Sequence, residues 1–454
     1  MAFWNKYRAI LLILTSVILY FFIAYFLERE QFNWLLFSYF SLFICFYFLV
    51  KFEHKNSSIL IGASLLFRLV FLCSIPNLSQ DFYRFIWDGR MILEGFNPYL
   101  WLPQTFIFEH NFPIADAPFL YQGMGELNGS HYTNYPPIHQ FCFLISAFFG
   151  NKIFTSVIVL RIIIILADVG ILYFGKKLLE KFNIPVYTIF WFILNPFVII
   201  ELTGNLHFES VMLFFLVWSL YKLQQKKWFF GALLFACSIS VKLIPLLFLP
   251  LFYQWFTKSE NKNGFKKLIA FYVIVLATTI VLFLPFYSST LVENYMNSVG
   301  LWFQKFEFNA SIYYVLREIG FWLYGYNQIA LIGKITPILT VLFLLYFAFF
   351  KKNTSLKKVI ISMLFVLSFY YFTTTTMHPW YLSTLILLAI FTKYRFPMVW
   401  SLVIILSYAA YSNNNYQENF WLISLEYIIV YGFLIWELYA KKNANNIFAF
   451  NTSN

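Results

Sequence analysis

Charge is what this chain has least of. Only 11% of its 454 residues are Asp, Glu, Lys or Arg, against 61% hydrophobic and 23% aromatic, whereas soluble domains carry roughly 25% charged residues. That shortage excludes a large soluble helical protein and predicts a polytopic, all-α membrane protein. The four cysteines, Cys45, Cys73, Cys142 and Cys237, fall inside apolar runs with no CxxC spacing. They exclude a disulfide framework and a thiolate metal site, and are expected to be small buried hydrophobes. A P-loop, a Rossmann glycine fingerprint, a nucleophile elbow and an Asp-x-Asp pair are also missing, which argues against nucleotide chemistry on the inner face.

What the chain has in abundance is apolar runs, and a span needs about 20 such residues. Candidates are 9–27, 32–50, 58–75, 153–174, 185–201, 205–223, 268–287, 326–350, 357–377, 379–392, 397–412 and 420–440. The first follows Lys6 and Arg8 but lacks a small-x-small cleavage site, so it reads as an uncleaved first helix. Between Trp228 and Phe256, Lys242 and Pro245 interrupt the run, which predicts two short helices, 228–241 and 243–256. The expectation is a bundle of about 14 membrane segments (12–14), with residues 1–442 forming a single integral-membrane domain and 443–454 a polar, disordered inner tail.

Lys and Arg report orientation in such a chain. With the N-terminus inside, 22 of the 32 cations fall on inner segments and five on outer ones: Arg29, Arg84, Arg90, Lys305 and Arg317. Both termini are therefore expected in the cytoplasm, and the net charge of +12 reflects topology, not nucleic-acid binding. The bias also makes 135–149 an outer-face helix, because counting it as a span would turn Lys176, Lys177 and Lys181 outward. Segment 76–150 then becomes a long outer loop with interfacial helices, and 288–325 a second outer segment. Loops of that length are usually functional.

The first loop opens with Asp81, Arg84, Asp88, Arg90 and Glu94, five of the 52 charged residues, spaced as one short helix. Asp81, Arg84 and Asp88 share a face, and Arg90 and Glu94 stand as an i, i+4 pair. Gly95 stops the helix, Asn97-Pro98 prevents its resumption, residues 97–137 read as a folded-back loop and 138–149 as a second helix. Further polar candidates on the outer side are Tyr135 in Tyr135-Pro136-Pro137, Glu201, Asn205, His207 and Glu209 at one junction, Lys242 at the apex of the short helices, and His378-Pro379-Trp380-Tyr381 at an outer turn. Polar groups at such depth are costly and are functional candidates by default.

The pattern Asp-x-Tyr-Arg-x-x-x-Asp-Gly-Arg-x-x-x-x-Gly-x-Asn-Pro-Tyr over 81–99 resembles the first outer loop of GT-C fold glycosyltransferases. It is most similar to the polyprenyl-phosphate-mannose-dependent mannosyltransferases of the GT87 and PIG-M types. Tyr135-Pro136-Pro137, the Asn195-Pro196 to Glu209 stretch, Lys242-x-x-Pro245 and His378-Pro379-Trp380-Tyr381 add weaker matches, so the resemblance touches most of 68–381. One departure is that two spans, not one, precede the span that leads into the acidic loop.

The resemblance implies transfer of a hexose, most simply mannose, from a polyprenyl-phosphate sugar to a lipid or glycan acceptor on the periplasmic face of a bacterial inner membrane. It implies no cofactor and no metal. Asp81 would be the base for the acceptor hydroxyl, at a helix N-terminus and near Arg84, both of which favour its ionised form. Arg84, Arg90, Lys242 and His378 would hold the donor phosphate. Tyr83, Asp88, Tyr135, Glu201, His207, Glu209, Trp380 and Tyr381 would line the sugar and acceptor sites.

Each role has a plainer competitor. Asp81 could only cap its helix; Arg84 and Asp88 could be a structural pair; Glu209 could pair with Arg161 or Lys242; His378 could pack or cap at its turn; His207-x-Glu209 alone is not a metal motif. Arg68, Arg161 and Asp168 are expected to brace the bundle. A transporter or lipid flippase is the alternative class, but transporters show repeated halves with midplane charge, and no such halves appear here.

Overall fold

In the computed structural model, residues 2–258, 263–304, 306–413 and 416–450 are described. Among them helices carry the architecture, and the extended pairing is one parallel bridge between Phe308 and Thr376. This suits lipid, where backbone polar groups must be satisfied within the element. Seven helices are long and apolar enough to cross a membrane: Tyr7–Tyr25, Phe32–Glu53, Ile153–Lys181, Gly264–Phe286, Ile329–Phe349, Leu356–Thr373 and Phe420–Ala440. Their outer faces carry exposed Ile18, Phe21, Leu276, Leu342 and Ile428, as expected of a polytopic membrane protein with hydrocarbon as its solvent.

The remaining expected segments are present but short or bent. Val186–Ile193 and Pro196–Gly204 form one broken pair bent by 51°. Pro196 has no N–H to continue the ladder, and the Asn195 side chain accepts from Phe197 N instead. Ser57–Val70, Trp228–Ile239, Ile244–Thr257, Pro379–Ile390 and Phe396–Ser412 are apolar helices under 18 residues. The expectation of about 14 segments therefore becomes seven spanning helices, or eight with the bent pair, plus shorter apolar helices. Composition finds the segments; Pro and polar breaks decide which reach full length.

The 76–150 segment holds helices Asp81–Leu93 and Pro137–Phe149, as the pattern predicts. The folded-back stretch between them is more ordered than expected, with helices Pro103–Phe108 and Ala117–Gly129. Gly95 ends the first helix at φ +84°, a conformation that suits glycine. Gly89 lets these two helices touch: a Cβ there would lie 2.2 Å from the Phe143 carbonyl oxygen. Phe85 and Phe143 stack beside it with centroids 4.6 Å apart.

Three further expectations change. Arg90 is not paired with Glu94; it donates to the Ala115 carbonyl (2.6 Å), Asp116 Oδ2 (3.0 Å) and the Asn151 carbonyl (3.2 Å), because its side chain turns inward to tie the loop. Cys45 and Cys142 are buried, but Cys73 is exposed and Cys237 half-buried. The last helix runs Phe420–Phe450, so helix replaces the disordered tail over 443–450, while 451–454 lie outside the described residues.

The expected braces are in place. Arg68 Nε donates to Asp168 Oδ2 at 2.7 Å and Arg68 Nη1 to the Ile193 carbonyl at 2.9 Å. Arg161 has no acid partner among the described residues and donates instead to the carbonyls of Leu72, Ser74, Thr203 and Gly204. It thereby fixes the start of the outer loop to the end of the broken helix, which carries Glu201 and leads to His207.

Candidate active site

Asp81 begins its helix without capping it. The N-cap position belongs to Gln80, which makes no side-chain cap bond, and no first-turn N–H among the described residues donates to the Asp81 carboxylate. That side chain is 24% exposed and its Oδ2 lies 3.8 Å from His207 Nε2. It opens on a cavity of about 810 Å³, within the roughly 300–1,000 Å³ of ligand pockets.

The cavity gathers residues from distant parts of the chain. Asp81 and Arg84 come from helix Asp81–Leu93 and Tyr135 from the approach to helix Pro137–Phe149. His207 and Glu209 follow the broken helix, Lys242 stands between the two short helices, and His378, Trp380 and Tyr381 come from the turn after Leu356–Thr373. Nine of the thirteen site residues named from the sequence share one wall.

The other four do not. Arg90 is committed to loop carbonyls and Asp116. Asp88 is 1% exposed and held by Arg84 Nε (2.8 Å) and Gln140 Nε2 (3.0 Å). Tyr83 packs on Phe82 and Phe119 and over Gly123. Glu201 is 1% exposed, with Oε1 accepting from Tyr408 and Oε2 from Asn205. An i, i+4 spacing shows that residues share a helix face, not whether that face meets a cavity.

Charge is arranged unevenly around the space. Arg84 meets Asp88 through Nε and the Asn128 and His131 carbonyls through Nη1; its buried Nη2 has no hydrogen-bond partner. Lys242 Nζ donates to Glu209 Oε1 at 2.5 Å, and Glu209 Oε2 has no partner. The Lys242 charge is thus shared with an acid, as one of the two expectations for Glu209 had it.

Burial, with His207, Lys242 and Arg29 nearby, pushes the His378 imidazole down to about 3. His131 is likewise held down to about 4 by burial and Arg84.

Sequence reasoning missed part of this wall. Arg29, His131, Glu307, Tyr411 and Glu418 also line the cavity. Arg29 lies over the Tyr411 ring at 3.4 Å. It was legible only as one of few outer cations. Glu307 and Glu418 sit in loops with no local pattern, and only tertiary structure brings them in.

The family described as alpha-(1->6)-mannopyranosyltransferase, N-terminal domain, has a model that matches residues 30–258. This chain is similar to alpha-(1->6)-mannopyranosyltransferase A of Corynebacterium glutamicum, 24% identical over 185 residues, or 40% of this chain and 35% of that protein. It is also similar to the protein of the same name from Mycobacterium tuberculosis, 23% identical over 207 residues, or 44% of this chain and 37% of the relative. The matched stretch thus spans little more than a third of those relatives. No solved structure matches significantly. The match to the family model contains the outer loop, His207, Glu209 and Lys242; it does not reach His378, Trp380 or Tyr381.

Proposed function

Because the chain belongs to the alpha-(1->6)-mannopyranosyltransferase family through its N-terminal half, we propose that it is a membrane mannosyltransferase. It takes mannose from a polyprenyl-phosphate donor and passes it to a hydroxyl of a lipid or glycan acceptor. The observation that carries this reading is Asp81, an uncapped and partly exposed carboxylate on the wall of a large cavity that also holds Arg84 and Lys242.

In this scheme the acceptor oxygen attacks the anomeric carbon and its proton passes to Asp81. The bond from that carbon to the phosphate oxygen breaks as the new one forms, and the electron pair leaves on the phosphate. Attack in line with the departing group inverts the anomeric centre. Arg84, through its open Nη2, and Lys242 meet the phosphate charge. Glu209 Oε2, Trp380 and Tyr381 face the sugar, and no metal is called on. In this reading the cavity opens on the outer face of a bacterial inner membrane, which the cation bias of the segments supports.

The test is transfer of labelled mannose from a polyprenyl-phosphate donor by membranes carrying wild type or Asp81→Asn. Wild type is expected to transfer and Asp81→Asn to lose turnover while still binding donor. Equal rates would remove Asp81 from the chemistry. A wild type that transfers from no lipid-phosphate sugar would favour a transporter.

A further inference from the structure

We propose that His207 is the positioning residue of Asp81, itself held from behind by Glu201 and Tyr408. The inference rests on the reading of Asp81 as the base. His207 Nε2 lies 3.8 Å from Asp81 Oδ2 and 3.3 Å from Ser79 Oγ, while Nδ1 lies 3.3 Å from Glu201 Oε2. Glu201 is anchored in turn: Tyr408 donates to Oε1 at 2.5 Å and Asn205 Nδ2 to Oε2 at 3.1 Å. A carboxylate, an imidazole and a second carboxylate thus stand in a line that runs from the cavity into the protein.

The imidazole plane is fixed independently. Trp380 stacks on His207 with centroids 4.0 Å apart, and His378 stacks on Trp380 at 4.5 Å and 5°. The backbone is bent to serve this contact. Glu201 sits in the π-helical turn Ile199–Gly204, a geometry that often marks functional sites. Leu206 adopts φ +63°, a conformation that a non-glycine residue rarely takes and that persists only where surroundings enforce it.

These contacts separate positioning from sugar binding. Nδ1 is buried against Glu201 without a hydrogen bond to it, and Nε2 meets Ser79 Oγ beside Asp81, so a sugar hydroxyl would have to displace Ser79 to reach the ring. Glu201 does not line the cavity, and any effect it has on the reaction must pass through His207.

The test uses the purified full-length protein and five forms: wild type, Asp81→Asn, His207→Gln, Tyr408→Phe, and His207→Gln with Tyr408→Phe. The readouts are kcat and KM for labelled mannose transfer from the polyprenyl-phosphate donor, binding of polyprenyl phosphate, and the melting temperature. His207→Gln is expected to lower kcat about 10²-fold, the cost of a base displaced by about 1 Å, with donor KM and polyprenyl-phosphate binding within about twofold. Tyr408→Phe is expected to lower kcat about tenfold, the loss of one hydrogen bond to a charged group, yet to add nothing in the His207→Gln background.

A His207→Gln kcat within about twofold of wild type overturns the inference, as does a raised KM at unchanged kcat, which would make His207 a sugar contact. If His207→Gln does not fold, Tyr408→Phe decides alone: an unchanged kcat, or a changed KM at unchanged kcat, overturns the inference, and a lowered kcat at unchanged KM supports it. An active wild type with inactive Asp81→Asn and fully active His207→Gln sinks only this inference. A wild type that transfers no mannose sinks it together with the reading of Asp81.

Discussion

Asp81 and Asp168 are the same side chain in opposite surroundings within one bundle. Asp168 is 2% exposed and accepts from Arg68 Nε, Ser210 Oγ and Thr203 Oγ1. Asp81 is 24% exposed, and the cation-capable group beside it is His207 at 3.8 Å. Filling a carboxylate's lone pairs with fixed donors offsets the cost of burying it, but leaves nothing with which to take a proton. Keeping them open at a cavity wall gives up that stabilisation and retains the chemistry. The sequence already sets them apart, since Asp81 opens a polar motif in a long loop whereas Asp168 lies inside an apolar run two turns from Arg161.

The sharpest way to break the comparison is to neutralise each acid in turn. Asp81→Asn should cut the transfer rate about 10³-fold, equivalent to about 4 kcal/mol of barrier, with little change in melting temperature. Transfer kinetics beside a thermal melt measure both. Asp168→Asn should do the reverse. It leaves Arg68 buried with a weakened partner and should cost about 3 kcal/mol of stability, seen as a lower melting temperature and yield in detergent. The rate per folded molecule should stay near wild type. If Asp168→Asn folds normally but is slow, the division between brace and site is wrong.

A smaller effect is expected where the site rests on the contact between helices Asp81–Leu93 and Pro137–Phe149. A methyl group at Gly89 would meet the Phe143 backbone carbonyl at 2.2 Å, and backbone cannot rotate away as a side chain can. Gly89→Ala should therefore cost about 1–3 kcal/mol through overpacking. It should also lower turnover by shifting Asp81, whose helix it displaces, while Gly62→Ala, with no atom within 4 Å, should leave both stability and turnover unchanged. Melting and transfer assays of the two variants test this directly.

How far the sequence could be read follows the same physics. Apolar runs gave the helical membrane class and placed nearly every helix. Pro245 and Lys242 announced one break, but elsewhere the lengths did not say which runs were complete, because Pro196 and Pro379 and the polar breaks beside them shorten helices in ways a run of hydrophobic residues hides. Asp81, Arg84, His207, Glu209 and Lys242 were recognisable as costly polar groups, and they do share a wall. Arg90, Asp88 and Glu201 looked the same by composition yet point elsewhere, since the partners that claim them, Asn151, Gln140 and Tyr408, lie 52 to 207 residues away. Gly89 stood in the motif without an evident reason. Its role is a helix contact that no local pattern announces.

The smallest expected effect concerns the two acids' surroundings in acid solution. His131, on the cavity wall, is held down to about 4 by burial and by Arg84, below its ordinary value near 6.5. Between those values the unfolded chain takes up a proton that the folded chain refuses, so the stability tied to this imidazole is full above about pH 6.5 and is lost as pH falls towards about 4. Melting curves between pH 7 and pH 4.5 should therefore slope downwards, and His131→Gln should flatten part of that slope without altering stability at pH 7.5 by much. His378 adds to the same slope, being held down to about 3, and the remaining acid sensitivity of His131→Gln should shrink again in His131→Gln with His378→Gln. An unchanged slope in both variants would mean that these imidazoles are hydrated enough to titrate normally, and that the wall around Asp81 is wetter than its packing indicates.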